Sequence, residues 1–431
     1  MKIKYCRNIQ QPVDGMQKIA AIAWSANSKK FAIATADRVS TLPFCILIFK
    51  QIVHLYDETA EKRDKFSTKP AEKGQKSYVV RAMAFSPDSM RLAIAQSDNI
   101  VFVYKLGTDW GERKSICNKF PQNSSVTCLS WPPERQNELV IGLAEGKVRI
   151  GQLKNNRSSN LFNSNSYVVA VSSNPDGNAI ISGHLDGAIY KFDLNTGAQT
   201  KIGIHTSVPY ALSWGVHILA AGNDGKVFFY ESEGGVYQRF EYSSDKKVKE
   251  FTAAHFNANG DTVAVGNYNK FYVYNFNPRK GQWDEVCCKK IENYYSVTAL
   301  AWKADGSRLA TGSLCGSVDL FDVCIKRTKY KGKFEFIYIS ISQVIVKRLE
   351  TGSRIVLKSN YGEEITKINI YQDRYLVAQT SETLLLGDME SCKLSELLWR
   401  GSGREKYDFS NPNVCMVFNA GELSIVEYGI N

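Results

Sequence analysis

Five histidines, ten cysteines and a few serine and glycine clusters are the residues of this chain whose types could do chemistry. His54, His184, His205, His217 and His255 form no HxH, HExxH or HxxxH pair, so spacing supports no metal centre. Cys287 and Cys288 are adjacent and Cys315 and Cys324 lie nine positions apart, so no CxxC pair exists to grip zinc or shuttle electrons. Ser182, His184 and Asp186 share one hairpin. Residues two apart on a strand point the same way, and they are expected not to reach each other as a nucleophilic relay would need. Gly401-Ser-Gly403-Arg-Glu-Lys406 lacks the GxxxxGK[ST] spacing and a following helix, and reads as a turn. These residues point away from an enzyme, and no cofactor, metal or small-molecule substrate is expected.

Charge says more about partners. The formal net charge is +11, with one basic cluster at Lys246, Lys247 and Lys249 and another at Lys326, Arg327, Lys329, Lys331 and Lys333. Both read as loops. A positive field steers any polyanion, so membrane headgroups, nucleic acid or an acidic protein surface would be attracted to them. No RNP-like aromatic platform or basic-aromatic stripe accompanies the clusters, which argues against nucleic acid. The opening MKIKYCRNIQ lacks the apolar core of a secretory leader, so reduced thiols in a cytosolic-type compartment are expected. The sequons at Asn123 and Asn156 then read as idle loop sequence.

Such loops must be held by something, and the chain has a strong period. In Ala299 to Asp322, ALAWKADGSRLATGSLCGSVDLFD, three alternating runs are separated by the turn pairs Asp305-Gly306 and Cys315-Gly316. If the aromatic closing the first run is position zero, a turn residue follows at +3 (Asn27, Asp88, Asp176, Asn259, Asp305) and another at +13 (Asp37, Asp98, Asp186, Asn269, Cys315). The anchors are Trp24, Phe85, Trp131, Ser173, Trp214, Phe256 and Trp302; after the first, their intervals are 46, 42, 41, 42 and 46 residues. That period belongs to four-stranded propeller blades, and seven copies fit one ring. An all-β, WD40-like seven-bladed propeller is therefore expected over residues 1–335. The Trp-Asp ending survives only in shape, as Tyr56-Asp57, Phe192-Asp193 and Phe321-Asp322.

Two segments stand outside the period. Lys2 to Cys6 alternates like a lone strand and is expected to complete the last blade as a clasp. In the first repeat, Asp37 precedes its aromatic, Tyr56, by nineteen positions, where other repeats allow six. The excess of 13 residues falls at about Ser40 to Ile52, STLPFCILIFKQI. This apolar run is too short to span a membrane. It reads as a loop that packs on a partner, a lipid-dipping loop or an unspliced segment, and the last reading is favoured because it splits an otherwise tight hairpin. After Asp322 the sequence stays strand-rich and suggests about two more blade-like units, a partial second propeller over 336–431.

Several runs also carry a resemblance. KRDKFSTKP (Lys62 to Pro70), KSYVVRAMAFSPDS (Lys76 to Ser89), DWGERKSICNKF (Asp109 to Phe120), GLAEGKVR, SQVIVK (Ser342 to Lys347), TSETLLLGD (Thr380 to Asp388) and VCMVFNAGEL (Val414 to Leu423) resemble the N-terminal region of the intraflagellar transport protein 172 family. Several are loop sequences that a propeller does not demand, and Ser40 to Ile52 interrupts a place where the family looks continuous. The resemblance implies two tandem propellers ahead of a long helical-repeat arm. It also implies a non-enzymatic scaffold in the B complex of intraflagellar transport, other B-complex subunits as partners, and a ciliary and cytoplasmic location. It supplies no catalytic residues. The rival readings are a basic propeller that binds headgroups or nucleic acid, and a coat or ubiquitin-ligase adaptor.

Overall fold

The repeated +3 residue has a local cause. In the second repeat Asp88 Oδ1 accepts the Met90 amide at 2.9 Å while Arg91 N donates to Ser86 Oγ at 2.9 Å. In the first, Asn27 Oδ1 accepts from Ser25 Oγ at 2.8 Å and from Lys29 N at 3.1 Å. In the last, Asp305 Oδ1 accepts Ser307 N at 2.9 Å. A short polar side chain thus closes each turn, with the next residue in the left-handed region at Ser28, Ser89 and Gly306. The aromatic that ends each third strand is core: Tyr56, Tyr104, Phe192, Tyr230 and Phe321 are all buried.

The computed structural model describes residues 1–12, 18–41, 46–72, 78–292, 294–401, 404–411 and 413–428, with backbone only at 36–41 and 46–50. The first blade consists of β2 (Ala21–Trp24), β3 (Lys30–Thr41), β4 (Ile46–Asp57) and β5 (Lys62–Ser67), hydrogen-bonded in that order; β1 (Lys2–Gln10) lies elsewhere. Five further four-stranded meanders follow, opening with Val80–Phe85, Val126–Ser130, Val168–Ser173, Ala211–Trp214 and Ala253–Phe256. The seventh sheet has three strands of its own, Val297–Trp302, Arg308–Ser313 and Val318–Cys324, and takes β1 as the fourth. The clasp thus forms as expected and is longer than Lys2 to Cys6.

Each innermost strand packs against the next around the circle, and Val297–Trp302 returns to β2, so the ring is closed. Ile19 fastens the seam: its amide donates to Ser313 O at 3.1 Å and its carbonyl accepts from Thr298 Oγ1 at 2.8 Å. Asn8 Nδ2 secures β1 by donating to Ser317 Oγ at 2.8 Å and Asp319 Oδ1 at 2.9 Å. The apolar faces of neighbouring blades meet, as where Ala34 and Leu55 of the first blade pack with Leu92 and Tyr104 of the second. Fully burying one such side chain contributes about 1.5–3 kcal/mol.

The excess segment of the first blade adds rungs to a hairpin. β3 and β4 stay paired from Lys30↔Asp57 out to Thr41↔Ile46, twelve pairs against six in the second blade. The last ordinary rung is Thr35↔Ile52, matching Gln96↔Ile100. The Gln51 carbonyl accepts the Thr68 amide at 3.0 Å, as the Asn99 carbonyl accepts Gln122 at 2.7 Å. Gln51 and Ile52 therefore occupy regular blade positions, and the surplus is best bounded at 38–50.

The chain divides into two compact units, Lys4–Asp322 and a second formed by Met1–Ile3 with Val323–Asn431. The division falls earlier than residue 335. Three further blade-type sheets follow it, where about two were expected: two of four strands, opening with Lys326–Tyr330 and Lys367–Tyr371, and one of three, Lys406–Asn411, Val414–Asn419 and Glu422–Glu427. The additional sheet arises because Lys326–Tyr330, read as part of a basic loop, is a strand paired with Phe334–Tyr338. Its own core includes Phe334, Val344, Leu357, Ile368 and Leu376.

Candidate docking surfaces

In a propeller the strands serve the fold and the loops meet partners, so a docking site belongs at the strand ends. Lys246, Lys247 and Lys249 lie in the connection from Val236–Glu241 to Ala253–Phe256 and are exposed. The loop is held by its backbone. Lys247 N donates to Asp245 Oδ1 at 2.9 Å, and Lys249 N to Asn267 Oδ1 at 3.0 Å. Among the described residues none of these three ammonium groups makes an ion pair.

The second basic cluster is built differently and belongs to the other compact unit. Lys326, Arg327 and Lys329 are exposed on a strand, and Lys331 and Lys333 flank the Gly332 turn. Much of it is engaged internally. Lys326 lies over the Tyr338 ring at 5.8 Å and Lys331 over Tyr330 at 5.2 Å. Arg327 Nε donates to Cys324 Sγ at 3.4 Å, Lys331 Nζ donates to Ile370 O at 3.3 Å, and Lys333 pairs with Asp373. A strand fixes Lys326, Arg327 and Lys329, so the loop expected here is reduced to the tight turn that carries Lys331 and Lys333.

The residues that could do chemistry are mostly structural. Ser182 Oγ and His184 Nε2 do touch, at 2.9 Å, because a strand's same-face neighbours meet when the far side of a ring turns toward a short hydroxyl. This corrects the expectation that they would not reach each other. Both are fully buried, His184 Nδ1 is taken by Ser166 O at 2.9 Å, and Asp186 Oδ1 accepts Ala188 N at 3.1 Å, so both ring nitrogens are engaged without a hydrogen bond to a carboxylate. Burial pushes the His184 pKa down, as it does for His217. His205, bonded through Nδ1 to Tyr230 Oη at 2.9 Å, is pushed down to about 4 by burial although Asp224 opposes the shift. His217 Nδ1 accepts the Trp283 indole at 3.2 Å while its ring stacks on Tyr237 at 3.9 Å. His54 is buried, and His255 faces the axial cavity. Among the described residues no group of three or more His, Cys, Asp or Glu side chains could hold a metal ion. The Gly401 to Lys406 turn includes residues 402–403, which lie outside the described set.

The axial cavity, about 540 Å³, is lined by the anchor positions of all seven blades, from Trp24 and Phe85 round to Phe256 and Trp302. Those rings are largely buried between blades, so they shape the axis and leave little ring surface to grip a ligand. An open groove of about 790 Å³ lies at the rim between the third and fourth blades, lined by Phe162, Tyr167, Leu185 and Tyr190. Sequence reading missed the rim tyrosines: neighbours across different blades have no fixed spacing to betray them.

Comparison with known proteins places this geometry. The model of the WD domain, G-beta repeat, matches residues 68–105, 156–193 and 285–322. The second and third matches begin just before or within an outermost strand, the first just after one, and each ends in the next blade's third strand; the clasp supplies the corresponding outermost strand at the seam. Intraflagellar transport protein 172 of Chlamydomonas reinhardtii is 52% identical over 441 aligned positions, covering 100% of this chain and 24% of that protein. The homolog of Homo sapiens is 51% identical over 440, and intraflagellar transport protein osm-1 of Caenorhabditis elegans 38% over 435, with the same coverage. The chain thus spans about a quarter of the length of the curated relatives it matches. With roughly half its residues identical along its entire length, the chain matches the N-terminal WD40 region of intraflagellar transport protein 172.

Proposed function

We propose that the chain is a non-enzymatic scaffold of the intraflagellar transport B complex, acting at the ciliary base, along the axoneme and in the cytoplasm. The observation that carries this reading is whole-length identity near one half to proteins named for intraflagellar transport. A closed ring supports it physically, because seven interlocked sheets present rim loops at fixed geometry, and stable contacts bury about 800 Å² per partner. Val323–Asn431, with its blade-type sheets, is read as part of a second propeller. Other B-complex subunits are the partners, with Lys246, Lys247 and Lys249 as the first docking surface and the Lys326 to Lys333 ladder as the second.

The test is affinity purification of the tagged chain, with and without residues 38–50, from ciliated cells, with bound proteins identified by mass spectrometry. Recovery of other B-complex subunits is expected. Recovery of none by either version would overturn the reading for this region.

A further inference from the structure

The lysine loop of the fifth-to-sixth blade connection has neighbours that sharpen what it would bind. Asn267 ties it to the next turn, donating from Nδ2 to Lys249 O at 2.7 Å and to Glu250 O at 3.1 Å. The Asn267 carbonyl accepts Val297 N at 3.2 Å, and Asn269 O accepts Ile291 N at 2.8 Å, so the following connection joins the same corner. Two further lysines end there. Lys270 and Lys290 stand directly opposite each other in the ladder between Lys270–Asn277 and Gln282–Lys290. Like charges at such a pair destabilise a sheet, and an anionic ligand would relieve that cost. Lys270 lies over the Tyr272 ring at 5.3 Å, and Tyr272 packs on Tyr242 at 4.9 Å, so this face of the sixth blade turns toward the lysine loop. Beside them Tyr268 and Tyr295, 38% and 54% exposed, meet edge to face at 5.5 Å.

We propose that this corner is a docking site for an acidic polypeptide segment with interspersed aliphatic or aromatic side chains, a proposal that rests on the scaffold reading and gives it a partner chemistry. The lysines would receive scattered carboxylates, and the tyrosine pair offers an apolar edge with hydroxyls still in water. Asp245 and Glu250 interrupt the lysines, and Glu285 stands on the neighbouring strand. Such a mixed surface matches the continuous phosphates of nucleic acid or an anionic bilayer less well than a peptide, which can place its acids between these carboxylates. The cluster has no arginine, so it lacks the planar fork suited to bidentate phosphate recognition.

The experiment measures fluorescence anisotropy of a labelled 15-residue Glu-Glu-Leu repeat peptide with the 431-residue chain, beside the matching Glu-Glu-Ser peptide. Binding of the leucine peptide is expected to fall about tenfold or more in K246E/K247E/K249E. It should fall severalfold in Y268A/Y295A, with loss of the preference over the serine peptide. K358E/K367E, exposed in the other compact unit, should leave it unchanged, and thermal unfolding checks that every variant is folded. Equal weakening by both sets of lysine substitutions would reduce the effect to net charge and overturn the site. So would failure of the peptide to bind, or its displacement by phosphatidylserine vesicles or single-stranded DNA at lower charge concentration. If the peptide fails while B-complex subunits still co-purify, the site falls and the scaffold reading stands; the opposite result sinks the scaffold reading alone.

Discussion

At the scale of single residues, burial sets the behaviour of the titratable and aromatic groups. His205 is held near 4 in the folded ring, against about 6.5 in an unfolded chain. Between those values the unfolded state binds more protons, so this contribution to stability is complete above pH 6.5 and is lost as pH falls toward 4. The thermal midpoint is accordingly expected to drop between pH 7 and pH 5, with a smaller drop in His205→Gln; identical slopes in both proteins would rule the histidine out. Trp283 is fully buried and stacks on Phe229 at 4.3 Å. Trp283→Ala should cost about 3–5 kcal/mol in denaturant unfolding, and a loss below 1 kcal/mol would mean the site collapses around the cavity. What was legible at this scale was local. Asp88 and Asp305 could be read as turn residues because each satisfies amides within two positions of itself. The Ser182–His184 contact depends on a ring orientation, and the Tyr268–Tyr295 pair on neighbouring blades, so neither is fixed by spacing.

At the scale of elements, the repeat predicted the blades well and their exceptions less well. The anchors and the +13 turns found all seven blades of the ring because each hairpin is contiguous in sequence. Lys326–Tyr330 escaped because its residues are basic or half-buried, so the alternation that betrays a strand is faint. The β3–β4 hairpin makes a sharp prediction. Removing residues 38–50 leaves Ala36, Asp37 and Gln51 to span Thr35↔Ile52, as Ser97, Asp98 and Asn99 span Gln96↔Ile100. The shortened protein should keep its fold and its thermal midpoint within a few degrees, and loss of cooperative melting would show that the extra rungs are required. At the message level, sequencing across codons 38 to 54 is expected to find a majority transcript without the segment, as an unspliced insertion requires.

At the scale of the whole molecule, ring closure is the governing fact. Every blade of Lys4–Asp322 has two neighbours, and the seam is held by β1, Ile19 and Asn8. A variant lacking residues 1–10 leaves Val318–Cys324 with an open edge and Asp319 without Asn8. It should be cleaved faster by protease and melt at lower temperature, whereas unchanged resistance would mean the clasp is dispensable. By the same logic a chain ending at Cys324 retains every strand of the ring and is expected to unfold in one cooperative transition. The net charge of +11 was readable from composition, but its distribution over two compact units became visible only once the strands were paired.

The clasp also orders events in time. On the ribosome, β1 emerges before the other strands of the ring and finds its partner only after Val318–Cys324 has been made, more than three hundred residues later. Six sheets can form in turn as they appear, yet the circle stays open until Val318–Cys324 has emerged. Biogenesis of this protein therefore has a single late commitment step, and its most vulnerable species is a nearly finished ring awaiting its own first strand.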